Sequence, residues 1–252
     1  MRHYEAGVEV LTKADESPVT IADREAEEIL LAALKQIAPD VPVIAEEAVS
    51  EGRIPSIADR FFLVDPLDGT KEFIGKRGEF TVNVALIEAG VPVFGIVYAP
   101  ALGQLYATLG AGKAGLARLS ADARPTGLAA CGFTAIRVRP PDLAGLTAVA
   151  SRSHMTAETE TFLARYAIAE RRDSGSSLKF CAIARGDADI YPRLAPTMEW
   201  DIAAGHAVLQ AAGGSVTAPD GQPMQYGKAE AGFRNGHFVA WGSSTPLPPR
   251  TR

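Results

Sequence analysis

Cysteine is scarce in this chain, and long apolar runs are absent. Its 252 residues include two cysteines, too few for a disulfide framework, which favours a cytosolic setting. No apolar run approaches the roughly 20 residues of a membrane-spanning helix. The first residues also lack the apolar core of a signal peptide. We therefore expect a cytoplasmic protein without a membrane span.

The charges are spread evenly, with no block of one sign. The formal net charge is -5, so a nucleic-acid polymer is not an expected partner. Hydrophobic residues make up 47% and charged residues 22% of the chain, as in ordinary globular proteins. The length is sufficient for one large domain or two compact halves.

Helix and strand patterns divide the chain into two halves. In the first, apolar residues at three- and four-residue steps, including Ile29 and Ile37, predict a helix over 22–37. Thr20 and Asp23 form a capping box at its start. Strand patterns over 81–88, 92–98 and 104–109 predict an antiparallel run.

The second half alternates strand and helix patterns, which is typical of an α/β unit. Pro140 and Pro141 mark the boundary, so we expect an α+β half over 1–141 and an α/β half over 142–252. The last ten residues, 243–252, contain three prolines, and we expect them to be disordered.

The string VDPLDGT, at 64–70, is the most informative segment. An apolar strand leads into Asp65 and Asp68, and Pro66 between them excludes a helix. A turn there can aim both carboxylates at one point. Gly69 and Thr70 begin a short helix whose free N–H groups suit an anion. Carboxylates beside a phosphate cradle are suitable ligands for Mg²⁺.

Three other acidic positions could join this group. Glu46 follows a strand over 41–45, Asp201 lies at the start of an apolar helix over 202–212, and Asp23 belongs to the capping box. Each also has a simpler explanation, as a solvated acid or as an acid at a helix N-terminus. Only their combination with the VDPLDGT string indicates a metal site.

Several strings together resemble the inositol monophosphatase superfamily. The strings are KADESPVTIAD (13–23), VPVIAEE (41–47), FLVDPLDGTKEFIGKRGEFTVNVALI (62–87), GIVYAP (95–100), SRSH (151–154), GSSLKFCAIARGDADIYPR (175–193) and WDIAAGHAVLQAAGG (200–214). They follow the family's order and cover most of residues 13–238. VDPLDGTKEF with GEFTVN is most similar to the bisphosphate nucleotidase branch.

The resemblance implies a layered αβαβα sandwich of the inositol monophosphatase and fructose-1,6-bisphosphatase fold, with the site between the halves. It implies a magnesium-dependent, lithium-sensitive phosphomonoesterase linked to sulfur assimilation. The expected reaction is hydrolysis of 3′(2′)-phosphoadenosine 5′-phosphate to AMP and phosphate by an activated water.

Carried over position by position, the resemblance also implies the site residues. One Mg²⁺ would be held by Glu46, Asp65 and the Leu67 carbonyl. A second would be held by Asp65, Asp68 and Asp201, and a third, weaker ion would arrive with substrate. Asp23 and Thr70 would be catalytic, orienting the attacking water. The expected substrate contacts are Glu46, Leu67, Asp68, Gly69, Thr70, His154, Ser176, Lys179, Arg193 and Asp201.

Two alternatives remain open at this stage. The same chemistry could act on an inositol or sugar phosphate, or the chain could be an inactive phosphate-binding or scaffold protein. Lys179 and Arg193 favour a bisphosphate, because the phosphate that is away from the metals needs cations and arginine binds it bidentately. The presence of every acidic ligand together with Thr70 argues against an inactive protein.

The N-terminal segment departs from the family pattern. Nineteen residues precede Thr20, where family members usually have a whole helix. We expect either a start further upstream, or a shortened enzyme with lower stability or a compensating contact in a homodimer. Residues 127–141 match no family segment, and we assign them no role.

Overall fold

The computed structural model contains both helices and strands. It describes residues 1–7, 10–12, 18–151 and 155–250. For residues 10–12, 18 and 19 it describes the backbone alone. The helices are α1 (Arg2–Ala6), α2 (Ile21–Ile37), α3 (Glu46–Ser50), α4 (Thr70–Ile74), α5 (Ala157–Leu163), α6 (Leu178–Ala184) and α7 (Glu199–Ala211). The strands are β1 (Val10–Thr12), β2 (Pro18–Thr20), β3 (Val43–Ala45), β4 (Arg60–Asp68), β5 (Thr81–Glu88), β6 (Val91–Ala99), β7 (Gln104–Thr108), β8 (Ala114–Arg118), β9 (Thr134–Ile136), β10 (Leu146–Ala150), β11 (Ile168–Asp173), β12 (Ile190–Arg193), β13 (Thr197–Met198), β14 (Ser215–Thr217), β15 (Arg234–Asn235) and β16 (Phe238–Trp241).

Two large sheets form the frame. The first has seven strands in the order β3-β4-β5-β6-β7-β8-β9, antiparallel except for the parallel pair β3 and β4. The second has the order β11-β10-β12-β16-β14, in which β10 runs parallel to both β11 and β12. The antiparallel run predicted over 81–109 is therefore confirmed as β5, β6 and β7.

The helices form layers outside and between the sheets. Along β4, Phe61 and Leu63 enter the central core with α6 and α7. Phe62 and Val64 point to the opposite face, against Leu34 of α2, because successive strand residues alternate sides. α5 covers the outer face of the second sheet. The order of layers is αβαβα, which confirms the predicted fold class. Among the described helices, none has the length and apolar character needed to cross a bilayer.

The helix α2 lies where the sequence predicts it, but its buried face is different. The capping box of Thr20 and Asp23 is present. Ile29 and Ile37, two residues of the apolar pattern that predicts this helix, are 69% and 77% exposed, whereas Glu27 is buried. The Glu27 carboxylate accepts hydrogen bonds from the backbone N–H groups of residues 47 and 48, at 2.8 and 2.9 Å. These bonds cap α3 and place Glu27 on the buried side of α2 together with Leu34, whereas Ile29 and Ile37 lie on the exposed side.

Two contacts hold the tail segment 243–250 to the fold, so the disorder predicted for the tail is wrong for these residues. Leu247 is buried in the cluster that α5 forms with Trp241. Arg250 donates its backbone N–H to the carbonyl of Arg165, at 2.9 Å. Eight short strands were not predicted, namely β1, β2, β8, β9, β13, β14, β15 and β16. Of these, β16 joins β12 to β14 inside the second sheet.

Candidate active site

A cavity of about 310 Å³ opens beside the C-terminal end of β4. Five acids line it: Glu72 and the four predicted metal ligands Glu46, Asp65, Asp68 and Asp201, which come from distant parts of the sequence. Three cationic side chains line it as well: Lys71, Lys179 and Arg193. Glu46 begins α3 and Asp201 lies in the first turn of α7, so three separate elements bring the four predicted ligands to one place.

A bulge places Asp65 and Asp68 on the same face of β4. Residues three apart in a regular strand point to opposite faces. Here Asp65 pairs with Asn83 and Asp68 pairs with Thr81, with a shift in register between the two pairs. One extra residue on β4 brings both carboxylates to the same side. We expected a turn to aim them together, but the strand continues and the bulge does so.

Each of the three aspartates is fixed through one oxygen. Asp65 Oδ1 accepts from the Leu67 N–H at 2.9 Å, and Asp68 Oδ2 accepts from Ser176 Oγ at 2.5 Å. Asp201 Oδ2 accepts from the Met198 N–H at 2.8 Å. The second oxygen of each has no hydrogen-bond partner within the described ranges. The three carboxylates are thus held in place while one oxygen of each stays available to a ligand.

The local charge is strongly negative. Burial, followed by repulsion from Glu46 and the other aspartates, raises the pKa of Asp65 well above its ordinary range. Burial and repulsion from Asp68 and Glu46 do the same to the pKa of Asp201. A divalent cation would offset this excess charge. In the described part of the chain, no three acidic, histidine or cysteine side chains already form a metal-binding group. Carboxylate and carbonyl oxygens are the ligand type that suits Mg²⁺, but these side chains do not yet form a complete coordination shell.

Thr70 connects the cavity to Asp23, which lies behind it and is 2% exposed. The Thr70 hydroxyl is 3.4 Å from Asp23 Oδ1 and 3.4 Å from the Leu67 carbonyl. The other Asp23 oxygen accepts from the N–H and the hydroxyl of Thr20, at 2.8 and 2.6 Å. Asp23 is therefore held rigidly and has an oxygen directed at the Thr70 hydroxyl.

The opposite wall comes from the segment before α6. Ser176 has a left-handed backbone, with φ of 54°, and its hydroxyl contacts both Thr81 and Asp68. Gly175 is required beside it, because a Cβ there would meet the Glu79 carbonyl at 2.6 Å. Lys179 donates to the Ser176 carbonyl at 2.6 Å, and burial lowers its pKa to about 8.

Comparison with known proteins identifies the family. A model of the inositol monophosphatase family matches residues 2–240. The chain is 43% identical over 234 residues to the 3′(2′),5′-bisphosphate nucleotidase CysQ of Escherichia coli K12, covering 92% of this chain and 89% of that protein. The chain belongs to the inositol monophosphatase family.

Solved structures of the family agree with this assignment. The crystal structure of CysQ from Bacteroides thetaiotaomicron is 40% identical, with a TM-score of 0.77 over 92% of this chain and 87% of that one. The Thermotoga maritima IMPase is 25% identical, with a TM-score of 0.74 over 97% and 86%. The predicted family membership and fold are confirmed.

The family-based site residues are mostly close together in space. The cavity is lined by ten of them: Glu46, Asp65, Leu67, Asp68, Gly69, Thr70, Ser176, Lys179, Arg193 and Asp201. Asp23 contacts it through Thr70, and His154 lies outside the described residues. Their functional roles remain predictions.

The sequence prediction did not include nine of the lining residues: Lys71, Glu72, Ser151, Ser174, Gly175, Phe180, Tyr191, Thr197 and Ile202. Tyr191 was detectable, because it lies two residues before Arg193 in β12 and so shares its face. No sequence pattern indicated that Thr197 would lie in the site. Its hydroxyl and Arg193 Nε are buried polar atoms without a hydrogen-bond partner among the described residues. Such atoms are costly unless a ligand or water satisfies them.

Proposed function

We propose that this protein is a magnesium-dependent bisphosphate nucleotidase that hydrolyses 3′(2′)-phosphoadenosine 5′-phosphate to AMP and phosphate. The observation that carries the proposal is that the four predicted metal ligands and three cations line one cavity. The relatives named as 3′(2′),5′-bisphosphate nucleotidases support this substrate class, because the chain matches them over about nine tenths of its length.

The acids would bind the metals. Glu46, Asp65 and the Leu67 carbonyl would hold one Mg²⁺, Asp65, Asp68 and Asp201 would hold a second, and a third would arrive with substrate. When bound, such ions neutralise a phosphate dianion, activate water and stabilise the leaving oxygen. The unpartnered oxygens of the three aspartates are the atoms we assign to this role.

Asp23 and Thr70 would handle the attacking water. A hydroxyl has one proton to donate and lone pairs to accept another. If Thr70 donates to Asp23 Oδ1, its oxygen can take a proton from the attacking water as its own proton passes to the Asp23 carboxylate, which is then the final proton acceptor. General base catalysis of this kind contributes about 10²–10⁴-fold to a rate. Because Asp23 is fixed by Thr20, its Oδ1 stays within reach of the Thr70 hydroxyl.

The cationic wall would select the substrate. A bisphosphate carries a second anionic group that the metals do not contact, and this group needs cations. Lys179 and Arg193 line the side of the cavity formed by α6 and β12, and the Arg193 guanidinium would donate charge-assisted hydrogen bonds to a phosphate oxygen. Ser176, Gly69 and the Thr70 backbone would contact the phosphate that is removed.

The test is phosphate release from 3′-phosphoadenosine 5′-phosphate and from inositol 1-phosphate, at matched Mg²⁺. We expect kcat/KM for the bisphosphate to be at least about tenfold higher, a difference of about 1.4 kcal/mol in transition-state binding. A tenfold preference for the inositol ester would instead favour an inositol phosphatase. Absence of turnover on both would favour a phosphate-binding or scaffold protein. Location in the cytoplasm and formation of a homodimer remain further predictions.

A further inference from the structure

A second cavity, of about 510 Å³, lies at the other end of α7 from Asp201. Its walls are the C-terminal half of α7, the strand β14, and the segments 221–225 and 244–246. β14 is the edge strand of the five-stranded sheet. The volume is in the range of small-molecule sites, and no residue that lines the proposed active site lines this cavity.

Apart from His206, the described lining residues carry no acidic or basic side chain. Apolar surface from Val91, Val216 and Met224 is combined with hydroxyl and amide groups. The polar side chains are Gln210, Ser215, Thr217, Gln225, Ser244 and Thr245. A charged ligand would lose its hydration here without gaining a partner of opposite charge, so the cavity suits an uncharged molecule with hydrogen-bonding groups.

His206 provides a specific contact point. It lines the cavity, although the residue as a whole is only 6% exposed. Its Nδ1 lies 2.8 Å from the Tyr226 hydroxyl. Its Nε2 has no hydrogen-bond partner among the described residues. This nitrogen is nevertheless not fully buried. This nitrogen therefore faces the cavity.

The proton on that ring can be placed from its surroundings. Burial lowers the pKa of His206 to about 3, so the ring is neutral near pH 7 and carries one proton. The Tyr226 hydroxyl has no other acceptor among the described residues, and it therefore donates to Nδ1. The ring proton then lies on Nε2, which is a donor, and a ligand must bring an acceptor.

We propose that this second cavity binds a small uncharged molecule with a carbonyl group, as in amides and nucleobases, whose oxygen accepts from His206 Nε2. The amide side chains of Gln210 and Gln225 offer both donors and acceptors for an adjoining N–H. The site is separate from the catalytic cavity, so its occupation does not depend on the proposed phosphatase activity.

The test uses nicotinamide as a neutral amide probe, and nicotinate, its carboxylate counterpart, as the charged control. The full-length protein is labelled with ¹⁵N-histidine, and each probe is titrated while the His206 Nε2 signal is followed by NMR. We expect a saturable shift with nicotinamide at about millimolar affinity, as is usual for ligands of this size. We expect at least about tenfold weaker binding of nicotinate.

Two variants locate the binding. Gln210 is an exposed residue on α7, so Gln210→Trp should fill the cavity entrance without disturbing the core, and it should abolish the shift. Gln36→Trp, the same change at an exposed position of α2, should leave it unchanged. Absence of saturable binding by the unmodified protein, equal binding of nicotinate, or unchanged binding in Gln210→Trp would overturn the proposal.

Discussion

Ser176 donates a 2.5 Å hydrogen bond to Asp68, joining residues 108 positions apart in the sequence. Asp68 ends β4 of the first sheet, and Ser176 precedes α6, which packs between the sheets. The bond fixes one carboxylate oxygen at the cavity wall, so the position of a proposed metal ligand depends on the docking of two distant parts of the fold.

Replacing Asp68 by Asn should separate activity from folding. An asparagine oxygen can still accept from Ser176, so the docking should persist, while the lost charge removes a proposed Mg²⁺ ligand. We expect turnover to be abolished. We also expect the metal-free protein to gain about 1 kcal/mol of stability, because repulsion of Asp65 and Asp201 is relieved. Activity assays and denaturant unfolding in EDTA measure the two effects. Asp40→Asn, at an exposed position, is the matched control, and normal activity in Asp68→Asn would refute the ligand assignment.

The Thr70 hydroxyl should matter for kcat rather than for KM. We expect Thr70→Ala to lower kcat by about 10²–10⁴-fold, the usual contribution of general base catalysis, with little change in KM. Thr70→Ser keeps the hydroxyl and should retain most of the activity. Asp23→Asn is a less specific test, because Asp23 also caps α2. Steady-state kinetics on the bisphosphate provide the measurement, and equal activity of the Ala and Ser variants would contradict this role.

Removing the charges of Lys179 and Arg193 should raise KM more for bisphosphates than for monophosphates. Methionine keeps part of the buried stem of each side chain, so we choose Lys179→Met with Arg193→Met. We expect KM for 3′-phosphoadenosine 5′-phosphate to rise about 10–100-fold, as one to two charge-assisted hydrogen bonds are lost. KM for adenosine 3′-phosphate should change far less. Lys35→Met, on the exposed face of α2, controls for the loss of positive charge. An equal rise for both substrates would show that the pair does not select the second phosphate.

His206 should make the protein less stable in acid. Its folded pKa of about 3 lies below the ordinary value of 6.5, so between these values the unfolded chain binds more protons than the native state. The stabilising contribution is present above pH 6.5 and is lost as pH falls towards 3, by about 1.4 kcal/mol per pH unit. His206→Gln retains an acceptor for Tyr226 and should show a shallower loss. Chemical unfolding from pH 7 to 4 tests this, and identical slopes would contradict it.

Local signals predicted much of the fold. The capping box at Thr20 and Asp23, the antiparallel run from β5 to β7 and the strand leading to Asp65 depend on neighbours in sequence, and all three are present. The buried side of α2 could not be predicted in this way. It is set by Glu27 capping α3, an interaction across 20 residues, which no periodicity in α2 reveals.

The candidate site, too, could be predicted only in part from local sequence patterns. The acid-rich string indicated a metal site, but the bulge that aligns Asp65 with Asp68 depends on the pairing of β4 with β5. Thr197 lies in a two-residue strand without any pattern, and only tertiary structure places it in the cavity. The buried tail residue Leu247 likewise depends on a surface formed by α5 and β16.

The most direct test of the magnesium-dependent mechanism is phosphate release from 3′-phosphoadenosine 5′-phosphate by EDTA-treated protein as Mg²⁺ is restored. We expect no turnover without the ion, a saturable recovery as Mg²⁺ is added, and inhibition by lithium. Full turnover by the metal-free protein would contradict the role assigned to Glu46, Asp65, Asp68 and Asp201.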